Sequence, residues 1–287
     1  MTEIKATKMQ GLGNDFVIVD FEEYKKANMT MEDFAIKVCD RHFGMGADGL
    51  IIPNLTPENS SCDIGWYFYN SDGTIAEMCG NGIRCFAKYI YDKKIIQKKS
   101  FKVETKAGII EPEIIDEENI KVKMSIPTLE PEKIPYNSET ILNNKIKVQD
   151  KEYNINAISM GNPHCVIITE EQDGEKLLEL AKKYGSEIET HELFPKKTNV
   201  EFISIKNKSE INLRVWERGC GITLACGTGA CASVVACILN NLTESKVKVN
   251  LAKGALNIEW NGSMENPDHH VFMTGPANYS YFANIIL

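Results

Sequence analysis

Two cysteines stand immediately before glycine-rich segments that open helices. Cys79 lies in "EMCGNGIRCFAKYI" (residues 77–90), and Cys226 lies in "LACGTGACASVVACIL" (residues 224–239). The first turn of a helix has backbone N–H groups without partners and carries the positive end of the helix dipole, so anions are stabilised there. We therefore expect the pKa of each thiol to be lowered, which makes the thiol a better base or nucleophile.

The glycines that follow the cysteines indicate a ligand site at each helix start. Gly80 and Gly82 in the first segment, and Gly227 and Gly229 in the second, allow the backbone to approach a ligand closely. Their amides are suited to a carboxylate or a phosphate group.

One such segment alone has simpler explanations. Free cysteine is among the most buried residue types, so a structural role is the ordinary one. A zinc site needs closely paired cysteines or a nearby histidine, whereas Cys79 and Cys85, and Cys226 and Cys231, share a helix without facing the same way. A redox pair is a third alternative, although the chain has no Cys-x-x-Cys motif. The repetition of the segment favours a paired function.

The repetition extends beyond the cysteines. Cys79 and Cys226 are 147 residues apart, and the pairs Gly13-Asn14 and Gly161-Asn162, each followed by an apolar strand, are 148 apart. Asn70 and Glu217 each lie nine residues before their cysteine. Two anchors that agree within one residue indicate a duplicated domain.

Each half is rich in short strands with β-branched and aromatic residues, and has few helices. We predict helices over 31–41, over 175–184 and after each cysteine, the last of them apolar all round and therefore buried. The fold class is predicted to be α+β, with two pseudo-symmetric domains, each a mixed or antiparallel sheet wrapped around a central helix. The proline-rich segment 125–137 is predicted to be an extended linker, and the domains to span 1–126 plus 276–287, and 127–275.

Composition excludes several classes of protein. The chain has 287 residues, 43% of them hydrophobic, a net charge of −8 and a pI near 5.3. That balance argues against a nucleic-acid partner, which requires a basic face. No apolar run reaches the length of a membrane span, and the first ten residues are too polar for a signal peptide, so we expect no membrane association. Nine cysteines in a chain of this size indicate reduced thiols in a cytoplasm.

Two equivalent thiols on pseudo-symmetric halves suit the inversion of a stereocentre. If they lie on opposite sides of a substrate, one thiolate removes an α-proton from one face and the other thiol delivers a proton to the opposite face. The helix-start amides then stabilise the carboxylate of the carbanion. This scheme requires no cofactor and no metal.

Five linked motifs resemble the diaminopimelate epimerase family, whose members interconvert LL- and meso-2,6-diaminopimelate without a cofactor. The motifs are "GLGNDF", "MCGNGIRC", "GNPHCV", "ERGCG" and "ACGTGACAS", and they run in family order from Met9 to Gly275. The resemblance implies that Cys79 and Cys226 are the catalytic pair. It also implies a cytoplasmic homodimer that acts on a small-molecule substrate in lysine and peptidoglycan-precursor biosynthesis.

The resemblance further implies the substrate-binding residues. Gly80, Asn81, Gly227 and Thr228 match the positions that hold the reacting carboxylate. Arg218 is suited to the distal carboxylate and Glu217 to the distal ammonium group. The other implied positions are Asn14, Asn70, Asn162, His164 and Asn199. Some family members carry glutamine where this chain has Gly49, which puts a polar contact there in doubt.

Two alternatives stay open, and a third is disfavoured. A proline or hydroxyproline racemase uses the same two-cysteine design, but tends to have histidine at the position of Asn81 and does not need Glu217 and Arg218. Relatives similar to the phenazine-biosynthesis isomerases lack the cysteine pair, which argues against them. A non-catalytic amino-acid-binding protein needs the amides but not the two thiols. The remaining cysteines are expected to be packing residues: Cys39, Cys62, Cys85, Cys165, Cys220, Cys231 and Cys237.

Overall fold

The computed structural model describes residues 1–287, and the chain divides into two compact units. Unit 1 comprises Met1–Val122 and Gly275–Leu287, and unit 2 comprises Lys123–Thr274. The chain passes from one unit to the other within two strands, Asn119–Lys123 (β8) and Phe272–Pro276 (β17). The domain boundaries given above differ from these points by a few residues and stay a prediction.

Unit 1 contains three helices and a mixed sheet. Its elements are β1 (Glu3–Gly11), β2 (Asn14–Ile18), α1 (Phe21–Lys25), α2 (Met31–Cys39), β3 (Gly49–Asn54), β4 (Ile64–Asn70), α3 (Gly80–Asp92), β5 (Val103–Thr105), β6 (Gly108–Ile110), β7 (Pro112–Ile114), β8 and β18 (Asn278–Ile286). The sheet has the order β18-β1-β2-β3-β4-β5-β6, and β7 pairs with β8 as a hairpin.

Unit 2 repeats this plan with two helices. Its elements are a 3-10 turn (Pro131–Lys133), β9 (Asn144–Val148), β10 (Lys151–Ser159), β11 (Pro163–Thr169), α4 (Gly174–Glu189), β12 (Asn199–Asn207), β13 (Glu210–Glu217), β14 (Gly221–Ile222), α5 (Gly227–Leu239), β15 (Lys246–Leu251), β16 (Gly254–Glu259) and β17. Its strands follow the order β17-β16-β15-β13-β12-β11-β10-β9, with β14 paired to β13.

The order of parallel and antiparallel pairs is the same in both units. In unit 1, β1 to β6 pair successively as antiparallel, parallel, antiparallel, parallel and antiparallel. In unit 2, the path β10-β11-β12-β13-β15-β16 has the same succession. Helices α2 and α4 occupy the first parallel crossover, and α3 and α5 the second. The predicted duplication and the α+β class are therefore confirmed.

Each sheet packs a helix on both faces, because alternate residues of a strand point to opposite sides. In unit 1, Val17 packs in the cluster around α2, whereas Phe16 contacts Phe68, which stacks with Trp66 against Phe86 of α3. In unit 2, residues Gly229–Cys237 of α5 are all buried. The prediction of a buried apolar helix after Cys226 is confirmed.

The helix predictions differ from the structure mainly at the ends. Helix α2 ends at Cys39 rather than at residue 41, and α4 continues to Glu189 rather than stopping at residue 184. The short helix α1 was not predicted, and neither were the strands β1, β6, β7, β9, β10, β14, β17 and β18. These strands are short or carry many polar residues, so their pairing with other segments decides their structure.

The proline-rich segment 125–137 is not an extended linker. It contains the 3-10 turn Pro131–Lys133, and Ile134 and Tyr136 are buried within unit 2. The Thr128 amide donates to the carbonyl of Ser159 at 2.8 Å, which attaches the segment to β10. No helix in the structure combines the length and the apolar character needed to cross a membrane.

Gly185 allows α4 to lie close to β13, and this contact offers a test of the fold. A Cβ atom at Gly185 would lie 2.6 Å from the Cβ and Cγ atoms of Trp216. We expect Gly185→Ala to lower the free energy of unfolding by roughly 1–3 kcal/mol, because the steric overlap forces α4 or Trp216 to shift. Ser186→Ala, at the next and exposed position of α4, changes it by at most about 0.5 kcal/mol. Urea unfolding followed by circular dichroism measures both, and equal stabilities would contradict the packing described.

Candidate active site

Both cysteines of the repeated segment are the N-cap residues of their helices. Cys79 has extended backbone before α3, and its Sγ accepts a hydrogen bond from the Gly82 amide at 3.4 Å. Cys226 has the same conformation before α5, and its Sγ accepts from the Gly229 amide, also at 3.4 Å. The duplicated sequence thus gives each unit one sulfur atom at the start of a buried helix.

The residues after each cysteine form the first helical turn. Gly80 and Asn81 begin α3, and Gly227 and Thr228 begin α5. N–H groups at these positions have no partner within the helix and point toward its start. Each helix start can therefore hold an anion next to a sulfur atom.

Asn14 lies between the Cys79 thiol and a carboxylate. The thiol donates to Asn14 Oδ1 at 3.4 Å, and the Asn81 side-chain amide donates to the same oxygen at 3.2 Å. The other end of the Asn14 side chain, its Nδ2, donates to Asp48 Oδ2 at 2.6 Å. Because a carboxylate only accepts, Asp48 fixes the Asn14 amide with its oxygen toward Cys79.

Asp48 belongs to a network of charges. Arg41 donates to Asp48 Oδ1 at 2.7 Å and to Asp15 Oδ1 at 2.9 Å, and Lys8 pairs with Asp15 Oδ2 at 2.7 Å. Burial raises the pKa of Asp15, but hydrogen bonds from Arg41 and Lys8 outweigh it and lower that pKa below its usual value. Asp15 therefore stays ionised at neutral pH, and the network holds Asn14 in place through Asp48.

Arg84 braces the start of α3 from inside the unit. Its fully buried guanidinium donates to the Gly80 carbonyl at 2.9 Å, to Asn81 Oδ1 at 2.8 Å and to the Pro276 carbonyl at 3.1 Å. The planar fork of arginine suits such multiple contacts. The conformation of the Gly80–Asn81 turn is thus set before any ligand binds.

Cys226 lies in a more acidic environment than we expected. Burial is the largest cause that raises the pKa of its thiol well above the usual value, and the carboxylates of Glu217 and Glu201 raise it further. Hydrogen bonds from Thr228 and from the Gly229 amide lower the pKa but do not compensate. The expectation that a helix start lowers this thiol's pKa is therefore wrong for Cys226, because burial and negative charge outweigh the helix dipole.

Glu217 ends β13 beside Cys226. The Thr223 hydroxyl donates to its carboxylate, and a hydrogen bond from Cys226 also reaches it. Burial raises the pKa of Glu217, and these hydrogen bonds oppose that shift only in part. Glu217 is therefore not a solvated surface residue but part of the surroundings of the second sulfur atom.

Asn162, His164 and Glu201 form a chain that leads to Thr228. His164 Nδ1 lies 2.7 Å from Glu201 Oε1, and His164 Nε2 lies 3.0 Å from Asn162 Oδ1. The Asn162 amide then donates to Thr228 Oγ1 at 3.4 Å, and that oxygen is 3.5 Å from Cys226 Sγ. Burial raises the pKa of Glu201, and the neighbouring His164 lowers it only in part.

Asn199 and Glu189 hold the turn that carries Arg218. Asn199 Oδ1 accepts from the Arg218 amide at 2.9 Å, while its Nδ2 donates to the Pro163 carbonyl at 3.0 Å. Glu189 accepts from the Gly219 amide at 3.1 Å and from Trp216 Nε1 at 2.7 Å. The Arg218 side chain is exposed, with one nitrogen 3.2 Å from the Lys196 carbonyl. Asn199 thus braces two backbone segments.

Asn70 and Gly49 lie opposite each other where β3 and β4 pair. The Asn70 side chain donates to Thr74 Oγ1 at 3.0 Å within its own turn. A Cβ atom at Gly49 would lie 2.7 Å from the Phe68 ring and 2.8 Å from the Tyr69 carbonyl. A glutamine at this position therefore requires a different arrangement of Phe68, and this chain makes no side-chain contact there.

Four residues that support the candidate site residues were not predicted from the sequence: Asp48, Arg84, Glu189 and Glu201. A weak signal was present for two of them: Arg84 interrupts the apolar stripe of α3, and Glu201 stands in the otherwise apolar run "VEFISI". A charge at a core position implies a buried partner. Of the seven cysteines expected to be packing residues, six are buried and Cys220 is exposed. No group of three or more His, Cys, Asp or Glu side chains is arranged to hold a metal ion.

Comparison with known proteins identifies similar chains. The sequence pattern of the family described as diaminopimelate epimerase matches residues 6–130 and again residues 156–280. The diaminopimelate epimerase of Halothermothrix orenii is 47% identical, with 99% of each chain covered. That of Heliobacterium modesticaldum is 45% identical, covering 94% of this chain and 95% of the relative. The chloroplastic diaminopimelate epimerase of Oryza sativa subsp. japonica is 42% identical, covering 97% and 79%.

Solved structures with much lower identity share the fold. A phenazine biosynthesis protein of the PhzF family from Bacillus anthracis has a TM-score of 0.71 at 15% identity, with both chains covered completely. A hydroxyproline epimerase from Agrobacterium vitis has a TM-score of 0.69 at 12% identity, covering 100% of this chain and 93% of that one. These likenesses concern the architecture alone.

The acidic surroundings of Cys226 lead to a prediction about its titration. Glu217 is ionised in the alkaline range where this thiol loses its proton, so replacing it by glutamine removes a negative charge that opposes the thiolate. We expect Glu217→Gln to lower the pH midpoint of Cys226 alkylation by on the order of one unit. Iodoacetamide labelling, quantified on the Cys226 peptide by mass spectrometry, measures this midpoint. Glu192→Gln, at an exposed position, is the control, and a raised or unchanged midpoint in Glu217→Gln would contradict the assignment.

Proposed function

Because the chain belongs to the diaminopimelate epimerase family, we propose that its two N-cap cysteines invert one α-carbon of 2,6-diaminopimelate. The enzyme interconverts the LL and meso isomers, a step of lysine and peptidoglycan-precursor biosynthesis. The observation that supports this use of the cysteines is that both units place a sulfur atom at the mouth of a buried helix.

Proton transfer proceeds in two balanced steps. One cysteine, as thiolate, takes the α-proton and becomes a thiol. The carbanion that remains receives a proton from the other cysteine, which becomes a thiolate, on the opposite face of the carbon. In the reverse direction Cys79 and Cys226 exchange roles, so each serves once as base and once as acid.

The first-turn amides stabilise the charge that develops in between. When the α-proton leaves, negative charge spreads onto the substrate carboxylate, and N–H groups of Gly80, Asn81, Gly227 and Thr228 are suited to hold it. Donors that are already oriented stabilise such a state without reorganisation. Arg84 contributes indirectly, since it donates to the Gly80 carbonyl and to Asn81 Oδ1 while a third hydrogen bond anchors it to the Pro276 carbonyl.

The remaining polar residues recognise the amino and carboxylate groups of the substrate. Glu217, which accepts a hydrogen bond from Cys226, is proposed to bind the distal ammonium group. Arg218, exposed on a braced turn, is proposed to bind the distal carboxylate. Asn14, Asn70, Asn162, His164 and Asn199 complete the proposed set of substrate-binding residues.

Two broader properties are also part of the proposal. The protein acts in the cytoplasm as a homodimer, and it needs no cofactor, because the chemistry runs on its own side chains. Size-exclusion chromatography with light scattering tests the dimer. Full activity of purified protein after exhaustive dialysis against a chelator tests the independence from cofactors.

Deuterium incorporation tests the function directly. Reduced protein is incubated with LL-diaminopimelate in deuterated water, and the α-carbons are followed by NMR. We expect meso product with deuterium only at the inverted carbon, since the proton delivered comes from a thiol that exchanges with solvent. Cys79→Ala and Cys226→Ala should each lower turnover by at least about a thousandfold, as the loss of a catalytic acid or base does.

The same experiment separates the alternatives. Exchange into proline without exchange into diaminopimelate would assign the chain to the racemase design instead. An amino-acid-binding protein would bind diaminopimelate equally well with either alanine variant and show no exchange in the parent protein. Cys220→Ala, at an exposed cysteine, serves as the matched control and should retain turnover.

Arg218 provides a test of the distal contact. We expect Arg218→Gln to raise KM for diaminopimelate roughly 10- to 100-fold, because a charge-assisted hydrogen bond contributes about 1.5–3 kcal/mol. The neighbouring variant Lys196→Gln changes KM less than about twofold. Steady-state kinetics in both directions measure this, and an unchanged KM in Arg218→Gln would remove Arg218 from the site.

A further inference from the structure

Glu201 is a buried carboxylate that the proposed reaction does not use. It stands in β12, and its side chain and that of His164 have no exposed surface. Its Oε1 lies 2.7 Å from His164 Nδ1, whereas its Oε2 is buried and has no hydrogen-bond partner. Burying such a group is costly unless it does something that an apolar side chain cannot do.

The duplication shows that the fold itself does not require this pair. In unit 2, His164 pairs in register with Asn199 on the parallel strand, two residues before Glu201. In unit 1, the equivalent pair is Phe16 with Gly49, and Ile51 lies two residues further on. Phe16 and Ile51 are fully buried apolar residues, so the same architecture packs there without charge.

The pair determines the direction of the hydrogen bonds that lead to Cys226. When His164 Nε2 carries a proton, it donates to Asn162 Oδ1, and the Asn162 NH2 group then faces Thr228. Thr228 Oγ1 accepts from that group, which leaves its own proton free to donate to Cys226 Sγ. When Nε2 lacks a proton, the Asn162 amide turns round and the Thr228 proton is drawn away from the sulfur.

The equivalent asparagine of unit 1 has the opposite orientation. Asp48 takes the NH2 group of Asn14, so the Asn14 oxygen faces Cys79 and accepts from its thiol. Asn14 thus accepts a hydrogen bond from the Cys79 thiol. Asn162 instead orients the Thr228 hydroxyl so that it can donate to Cys226 Sγ. The two cysteines occupy duplicated positions with hydrogen-bond networks of opposite sense.

We propose that Glu201 is a positioning residue for the epimerase reaction, acting through His164 to hold the Asn162–Thr228 chain with its donors directed at Cys226. The inference rests on the proposed function for its kinetic consequence, but not for the hydrogen-bond direction. Glu201 and His164 share a proton between Oε1 and Nδ1, and the second proton of the pair stays on Nε2. Burial, which raises the pKa of Glu201, favours this sharing over a free carboxylate.

Gly229 keeps the carboxylate at this position. A Cβ atom there would lie 2.6 Å from Glu201 Oε1, whereas a Cβ atom at the equivalent Gly82 would have no atom nearer than 3.4 Å. The Glu201 carboxylate therefore occupies the space that a side chain at position 229 would need. Phe16 leaves more room at the equivalent position 82. Replacing Gly229 by alanine displaces Glu201 without changing the chemistry of the pair.

The protonation of His164 is tested by NMR on the full chain with 15N-labelled histidine. The five histidines are assigned by single substitutions. We expect an Nε2–H signal from His164 whose proton exchanges with water at least tenfold more slowly than in Glu201→Leu and Gly229→Ala. Gly82→Ala and Ile203→Val, the latter on the same buried face of β12, should leave the signal unchanged. A His164 Nε2 without a proton in the parent protein would overturn the proposal.

Kinetics test whether the direction of the hydrogen bonds from His164 to Cys226 matters to the reaction. Outer residues that orient a functional histidine commonly contribute 10- to 100-fold, so Glu201→Leu should lower kcat by roughly 10- to 100-fold. KM should change less than about threefold, because the Glu201 side chain has no exposed surface. Ile203→Val should retain kcat, although it loses one buried methylene and some stability.

A double variant separates positioning from folding. His164→Phe with Glu201→Ile reproduces the apolar pair of unit 1, so it should be at least as stable as Glu201→Leu while kcat stays low. Normal kcat in Glu201→Leu, or loss of kcat that thermal denaturation attributes wholly to unfolding, would overturn the proposal. If the parent protein fails to exchange deuterium into diaminopimelate, the proposed function is wrong. The NMR result still decides the direction of the hydrogen bonds from His164 to Cys226.

Discussion

Helices α3 and α5 each begin at a cysteine N-cap, which is a weak cap compared with the usual oxygen-bearing residues. Serine, threonine, aspartate and asparagine satisfy the first amides of a helix best, and replacing them costs about 1 kcal/mol each. Here a sulfur atom takes that place in both units, at 3.4 Å from the first-turn amide nitrogen of Gly82 or Gly229. The helices are instead stabilised by burial, as the enclosed α5 shows. Tertiary packing thus leaves the cap residue free to act as an acid or a base.

The two units are alike at the cysteines and the helix starts, and they differ in the residues that surround each sulfur atom. Both units keep the cysteine, the glycines and the succession of strand pairs. They differ in what supports the sulfur: a charge network of Asp48, Arg41 and Lys8 on one side, and the Glu201–His164 pair on the other. The two units therefore support equivalent sulfur atoms by different means.

Much of this was accessible from the sequence, because the strongest signals were local or repeated. Paired Cys-Gly-x-Gly segments located both helix starts, and the offset of the Gly-Asn pairs revealed the duplication. The supporting residues were not predictable in the same way. Asp48 reaches Asn14 and Glu201 reaches His164 only through parallel strand pairs, whose register the sequence does not display. The predicted lowering of the Cys226 pKa was wrong for a similar reason. The carboxylates of Glu201 and Glu217, which raise this pKa together with burial, come from the separate strands β12 and β13.

The pairing of β18 with β1 has a consequence for how the chain folds. These strands align residues Glu3–Gln10 with residues Asn278–Ile286, so the edge of unit 1 is formed by segments nearly the whole chain apart. Unit 2 is one continuous stretch, so it can fold without waiting for β18 to pair with β1. Until then β1 presents an unpaired strand edge, the kind of surface that promotes aggregation. The slow, non-local closure of this sheet should govern the folding rate of unit 1.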